Sequence, residues 1–242
     1  MRDYLDILLD CKSAYFISLT KQKVNLAVLI VKLLFSRSRK RFMQSLLGNL
    51  KIQIPEKLFV KDPDSSELGK RILTHSIILI ESLGFENFTF KKLGLEIGSP
   101  ESTIYRYFEN KHKLLLYLTS WYWGWLEYKV AFAVANVESP KKQLENAIYA
   151  ICKTVKQDQN FSHINEELLQ RIVISESSKA FLTKEIEQEN KDGFFKSYKN
   201  LIERIVYIIS SLNSDYPHPK TLASTLLETN HMQKFFSSHL PS

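Results

Sequence analysis

The chain has 242 residues, 44% of them hydrophobic, and a net charge of +7. That is enough apolar material for a helical protein of one or two domains with a real core. Two cysteines, Cys11 and Cys152, offer neither a disulfide framework nor a metal-ligand spacing, so a cystine-stapled fold and a cysteine metal site are excluded.

Only seven Gly and seven Pro punctuate the chain, and no alternating strand pattern of any length occurs, so long helices are expected. Residues 1–42 hold nine Lys and Arg against three Asp and Glu, which is +6 of the total and leaves +1 for the other 200. The basicity is thus a property of that segment and is weak support for nucleic-acid binding elsewhere. The apolar run 24–35 is short and contains Lys32. A membrane span needs about 20 apolar residues, and no small-residue cleavage site follows the run. A basic arm on DNA phosphates or a membrane-surface helix is the functional reading. The favoured reading is an extension outside the domain, with Met43 as an alternative start. Residues 51–67, with Pro55 and Pro63, read as linker and helix cap.

A first helix is expected over 66–83, with Leu73, Ile77 and Ile80 on one face. The stretch 89–111, TFKKLGLEIGSPESTIYRYFENK, organises the rest. Thr89 suits an N-cap, and Phe90, Leu93 and Ile97 recur at helical spacing. Gly94 leaves room for a second helix, and Gly98 permits the positive φ that ends the first. Ser99 is expected to cap the next helix, over 100–108, with Pro100 in its first turn. Ile104 and Phe108 form the buried stripe of that helix. Glu101, Ser102, Thr103, Tyr105, Arg106 and Tyr107 remain for its surface. A short, core-anchored helix presenting hydroxyls, an arginine and tyrosines fits a DNA major groove.

These residues resemble the helix-turn-helix of TetR-type transcriptional regulators. That motif has a hydrophobic-Ala start to its second helix, a turn glycine, Thr-hydrophobic-Tyr-x-Tyr/His-Phe, and a short link ending in Lys. Here the matching residues are Leu93-Gly94, Gly98, Thr103-Ile104-Tyr105-Arg106-Tyr107-Phe108 and Lys111. Residues 72–90 resemble the family's first helix and its Gly-aromatic exit. Gly94 stands where Ala is usual, and Pro100-Glu101 where Ser-Lys is common. The resemblance implies an all-α chain, with a three-helix DNA-binding domain over 66–112 after an extension and linker over 1–65. A helical ligand-binding and dimerisation domain would follow over 113–242. It implies DNA contacts from Thr89, Lys91, Pro100, Glu101, Ser102, Thr103, Tyr105, Arg106, Tyr107 and Lys111.

Asn110 suits the cap of a long helix to about 137, and Lys111 at its start would offer a charge to a phosphate. Its apolar face, Leu114, Leu118, Trp121, Trp125, Tyr128 and Phe132, reads as core. Read through the resemblance, part of it walls a ligand pocket of Trp121, Trp125, Tyr128, Phe132, Tyr149 and Cys152. On its own, Cys152 reads as a small core residue. Glu166, Glu167, Glu176 and the stretch 179–190 read as solvated surface. Helices over 194–212 and 220–239 follow. The first is apolar around more than one face, at Leu201, Ile202, Ile205, Ile208 and Ile209. With Leu226 and Leu227 these form the expected dimer interface, since the family pairs its last helices.

No nucleophile–base pair, phosphate loop or paired-histidine motif is found. The reading is a cytoplasmic, homodimeric, ligand-responsive repressor that binds an operator in double-stranded DNA and a small-molecule effector. It has no catalytic residue, metal, cofactor or membrane partner. The alternative is an all-helical small-molecule or lipid-binding module without DNA-binding activity.

Overall fold

A computed structural model describes residues 52–153, 155 and 161–240. Expectations for residues 1–42 and for Met43 lie outside the described residues. Ten α-helices and no strand occur among the described residues, so the chain is all-α. The segment read as a linker is packed instead. Leu58 and Pro63 are buried, and the Phe59 ring meets Tyr117 edge-on. The Val60 N–H donates to the carbonyl of Tyr107 at 2.8 Å.

Helix α1 (Glu67–Leu83) starts at Ser66, whose hydroxyl accepts the Gly69 N–H. It buries Ile72, Leu73, Ile77 and Ile80 on one face. Two short helices follow: α2 (Phe90–Glu96) packs next to it, and α3 (Glu101–Tyr105) packs against α2.

Helix α4 (Lys111–Val134) is the axis of the molecule. Its N-cap is Asn110, whose side chain accepts the Lys113 N–H at 2.9 Å. Leu114 to Trp123 are all buried. A helix apolar around most of its circumference must be covered on several sides. The neighbours that cover it are α5 (Pro140–Cys152), α6 (Glu166–Ser175), α7 (Ser177–Phe181) and α9 (Lys196–Leu212).

The charged stretch read as solvated forms α7 and α8 (Ile186–Lys191) and is partly internal. Glu189 is buried because His112 meets its carboxylate at 2.7 Å. Glu166 is also buried, at the first turn of α6, where the positive end of the helix dipole favours a carboxylate.

Helix α9 corrects another expectation. Leu201, Ile202, Ile205, Ile208 and Ile209 are buried within the single chain, because α9 packs against α4, α5 and α10 (Pro219–His239). Leu227 is buried with them and Leu226 is half-buried. Three intrachain neighbours absorb the apolar excess. The surface these helices leave open carries Tyr207, Leu222, Met232 and Phe236 instead. No helix among the described residues is long and apolar enough to cross a membrane.

Candidate nucleic-acid interface

The interface is built from the turn between α2 and α3. Thr89 caps α2, its hydroxyl accepting the Lys92 N–H at 3.2 Å. Phe90, Leu93 and Ile97 are buried. Gly98 has φ +61°, the left-handed conformation the chain reversal needs. The Ser99 N–H donates to the Gly94 carbonyl at 2.8 Å. A Cβ on Gly94 would lie 2.6 Å from the Ser99 carbonyl oxygen, so the turn closes only over a bare backbone. The last carbonyl of this unit, on Ile97, accepts from the Arg71 guanidinium of α1. Arg71 was not singled out in the sequence, because it is 26 residues away.

Pro100, not Ser99, is the N-cap residue of α3, and no side chain caps this helix. Ile104 and Phe108 are buried as the stripe predicts. Lys91, Pro100, Ser102, Tyr105 and Arg106 are exposed, and Glu101 and Thr103 half-exposed. The Tyr105 hydroxyl donates to the Glu101 carboxylate at 3.3 Å, and its ring meets Phe90 edge-on. Packing raises the Tyr105 phenol, and the Glu101 carboxylate adds to this. Lys91 and Arg106 have no hydrogen-bond or ion-pair partner among the described residues, so both cations are available to a ligand. Between them Leu95, 77% exposed, lines a shallow hollow with Pro100 and Glu101. It falls off the 90/93/97 stripe, which is the one signal that marks it. An open apolar side chain here can meet a thymine methyl.

Two expected DNA contacts are not on this surface. Tyr107 is 3% exposed. The helix tightens after Tyr105, with the Tyr107 and Phe108 N–H groups both donating to the Ile104 carbonyl, and this turns Tyr107 inward. Its hydroxyl shares a 2.9 Å hydrogen bond with Ser66, the cap of α1. Lys111 is committed to the protein. Its ammonium donates to the carbonyls of Phe85, Glu86 and Phe88 at 3.0, 3.0 and 3.2 Å, using all three of its donors.

The same loop is held from the other side by the rest of the chain. Glu176, where α6 ends, is buried rather than solvated. Its carboxylate accepts the Phe85 N–H at 3.0 Å and the Lys179 ammonium at 2.8 Å. Arg171 of α6 bridges Glu81 of α1 and Glu167, at 3.1 and 2.7 Å. His163 meets Asp64 at 2.9 Å, and its carbonyl accepts the Thr74 hydroxyl. These contacts tie the helix-turn-helix to the helices that follow it.

The residues expected to wall a pocket do not converge. Trp121 and Trp125 are buried core, Tyr128 is half-buried, and Phe132 and Tyr149 are 48% and 66% exposed. Cys152 is exposed, not core, because α5 ends there and turns its last residue outward. What the interior holds is a polar cluster the sequence did not announce. Gln170 donates to the Tyr122 hydroxyl at 2.9 Å, and Tyr122 lies 3.3 Å from Nε2 of buried His231, which stacks on Trp123. Burial, helped by the nearby Lys234, pushes His231 down to about 4, so the imidazole beside Tyr122 is neutral. Burial pushes the Tyr122 phenol up.

The family described as bacterial regulatory proteins, tetR family, matches residues 72–118, which run from α1 into α4. No match is found among curated proteins. Among solved structures, the fold is similar to a bacterial regulatory protein in the tetR family from Rhodococcus RHA1. The TM-score is 0.52 and the identity 12%, over 73% of this chain and 86% of that one. It is also similar to the ketosteroid transcriptional regulator KstR2 of Mycobacterium tuberculosis. There the TM-score is 0.51 and the identity 12%, over 69% and 81% of the two chains. The segment 72–118 is thus similar in sequence to the helix-turn-helix of the tetR family, and the described chain is similar in fold to solved transcriptional regulators.

Proposed function

We propose that the protein is a cytoplasmic, homodimeric repressor that binds an operator in double-stranded DNA through α3 and releases it on binding a small molecule. The observation that carries the DNA reading is the pair of unpartnered cations, Lys91 and Arg106. Both are exposed, as are Ser102 and Tyr105, with Thr103 half-exposed. In this reading Arg106 contacts a base edge or phosphate, Lys91 and the Thr89 end of α2 meet phosphates, and Leu95 faces a thymine methyl. The ligand response is supported by the ties at Glu81, Phe85 and Asp64. A molecule that favours one arrangement of these ties shifts the population of DNA-competent chains. Selection of bound duplexes from a random pool tests the reading. A palindromic site should be enriched, and Lys91→Ala should reduce the salt slope of its binding by about one. A pool that yields no common site would overturn it.

A further inference from the structure

The described chain has a groove of about 580 Å³ between α1, α6 and α10. It lies apart from the aromatic residues of α4 and within the size range of small-molecule sites. Its walls divide by chemistry. Val155, Ile174 and Phe235 give an apolar side, and Arg171 and Lys234 give two cations. The acidic residues of the groove, Glu81 and Glu167, both pair with the Arg171 guanidinium, and neither pairs with Lys234.

Lys234 has no such match. It is half-buried, no carboxylate pairs with it among the described residues, and its one hydrogen bond reaches the Ile151 carbonyl at 3.5 Å. That carbonyl already accepts from Asn230. Burial holds the Lys234 ammonium below its usual range. A half-buried ammonium served only by a long, shared carbonyl bond gains from an anion, because charge-assisted hydrogen bonds are shorter and stronger.

We propose that this groove binds a small organic carboxylate with an apolar tail. The carboxylate pairs with Lys234, and the tail lies along Val155, Ile174 and Phe235. The inference rests on the ligand-responsive reading above and gives it a site and a ligand class. It also gives a route. Glu81, on the rim, belongs to α1, so a molecule in the groove touches the helix that supports the reading head, and the Arg171 bridge is its neighbour.

The test uses the full chain without DNA, titrated calorimetrically with sodium octanoate, 1-octanol and sodium acetate. Octanoate should bind saturably at one site per chain. Octanol, which lacks the charge, and acetate, which lacks the tail, should each bind at least tenfold more weakly. Lys234→Met should weaken octanoate at least tenfold. Ser238→Trp, which fills the exposed side of the groove while keeping Lys234, should do the same, and it decides the matter if Lys234→Met does not fold. The proposal is overturned if octanoate does not bind, if octanol binds as well, or if a folded variant keeps the wild-type affinity. DNA is absent from these titrations, so their failure leaves the operator reading standing, and a failed operator selection leaves the groove standing.

Discussion

Arg106 and Tyr107 are adjacent, share a motif and do opposite work. Arg106 is exposed and unpartnered, and Tyr107 is buried with its hydroxyl on Ser66. Arg106→Ala should therefore cost about 1–3 kcal/mol of operator affinity and leave the melting temperature unchanged. Tyr107→Phe should do the reverse, losing about 1 kcal/mol of stability with operator affinity intact. Calorimetric melts and binding titrations of both variants check this, and a Tyr107→Phe protein that is stable but weak on DNA would return Tyr107 to the interface. The sequence could not separate the two, because helical periodicity carried through residue 108 puts both on the surface. The turn that tightens after Tyr105 is what removes Tyr107. Lys111 departs from expectation for a related reason: a lysine at a helix start has the pattern of a phosphate ligand, and only the fold brings the carbonyls of Phe85, Glu86 and Phe88 around it. His231 yields a pH prediction. Its folded value of about 4 lies below the unfolded value of about 6.5. The neutral form is therefore favoured by folding, and stability is full above pH 6.5. It falls as pH drops towards 4, because the unfolded chain takes up the proton first. The loss from this one group is about 3 kcal/mol at most. His231→Phe, which keeps the stacking on Trp123, should flatten urea-determined stability between pH 6.5 and 4; a variant with the wild-type pH slope would show that other groups set it.

At the scale of elements, the helix-turn-helix was the most legible part, because its constraints are local. Phe90, Leu93 and Ile97 are buried as their spacing predicts, Thr89 and Asn110 cap as their types predict, and Gly98 has the positive φ its place demands. Gly94 is the sharpest of these constraints. Its missing Cβ is required by backbone, not by a flexible side chain, since the Ser99 carbonyl would stand 2.6 Å away. Gly94→Ala should cost about 1–3 kcal/mol, the usual range for forced overpacking. It should also weaken operator binding, because α3 can make room only by moving away from α2. Melting and DNA titration of that variant decide it, and unchanged values in both would mean the turn yields more easily than the distance implies. Elements beyond residue 134 were less legible. Acidic residues at 166, 176 and 189 read as surface and are buried, and at 176 and 189 the cause is a tertiary partner. Glu176 holds the Phe85 N–H and Glu189 meets His112. Neither partner lies within reach of a periodicity argument.

At the scale of the whole molecule, the proposed dimer must use a different surface from the one the apolar pattern suggests. Ile205 and Ile209 are core of one chain, so Ile205→Glu buries an unpaired charge and should unfold the protein without reporting on association. The outer faces of α9 and α10 carry the test. On α10, Leu222, Thr225, Thr229, Met232 and Phe236 are exposed at spacings of three, four, three and four, the period of a helix–helix seam. On α9, Tyr207 is 73% exposed. The two helices run antiparallel, joined by the Glu203–Lys220 and Tyr198–Glu228 contacts. Two copies packed on these outer faces give a four-helix contact and fix the distance between reading heads, as half-sites about 34 Å apart require. Met232→Glu, at the middle of the seam, should leave the circular dichroism spectrum and melting curve of the monomer unit intact. It should shift sedimentation at micromolar concentration from dimer to monomer and weaken operator binding, because each half-site is then held by one chain alone. A wild-type protein that sediments as a monomer, or a Met232→Glu variant that stays dimeric, would sink this interface. If Met232→Glu were monomeric and still bound the full operator as tightly, pairing of the chains would have no part in DNA recognition.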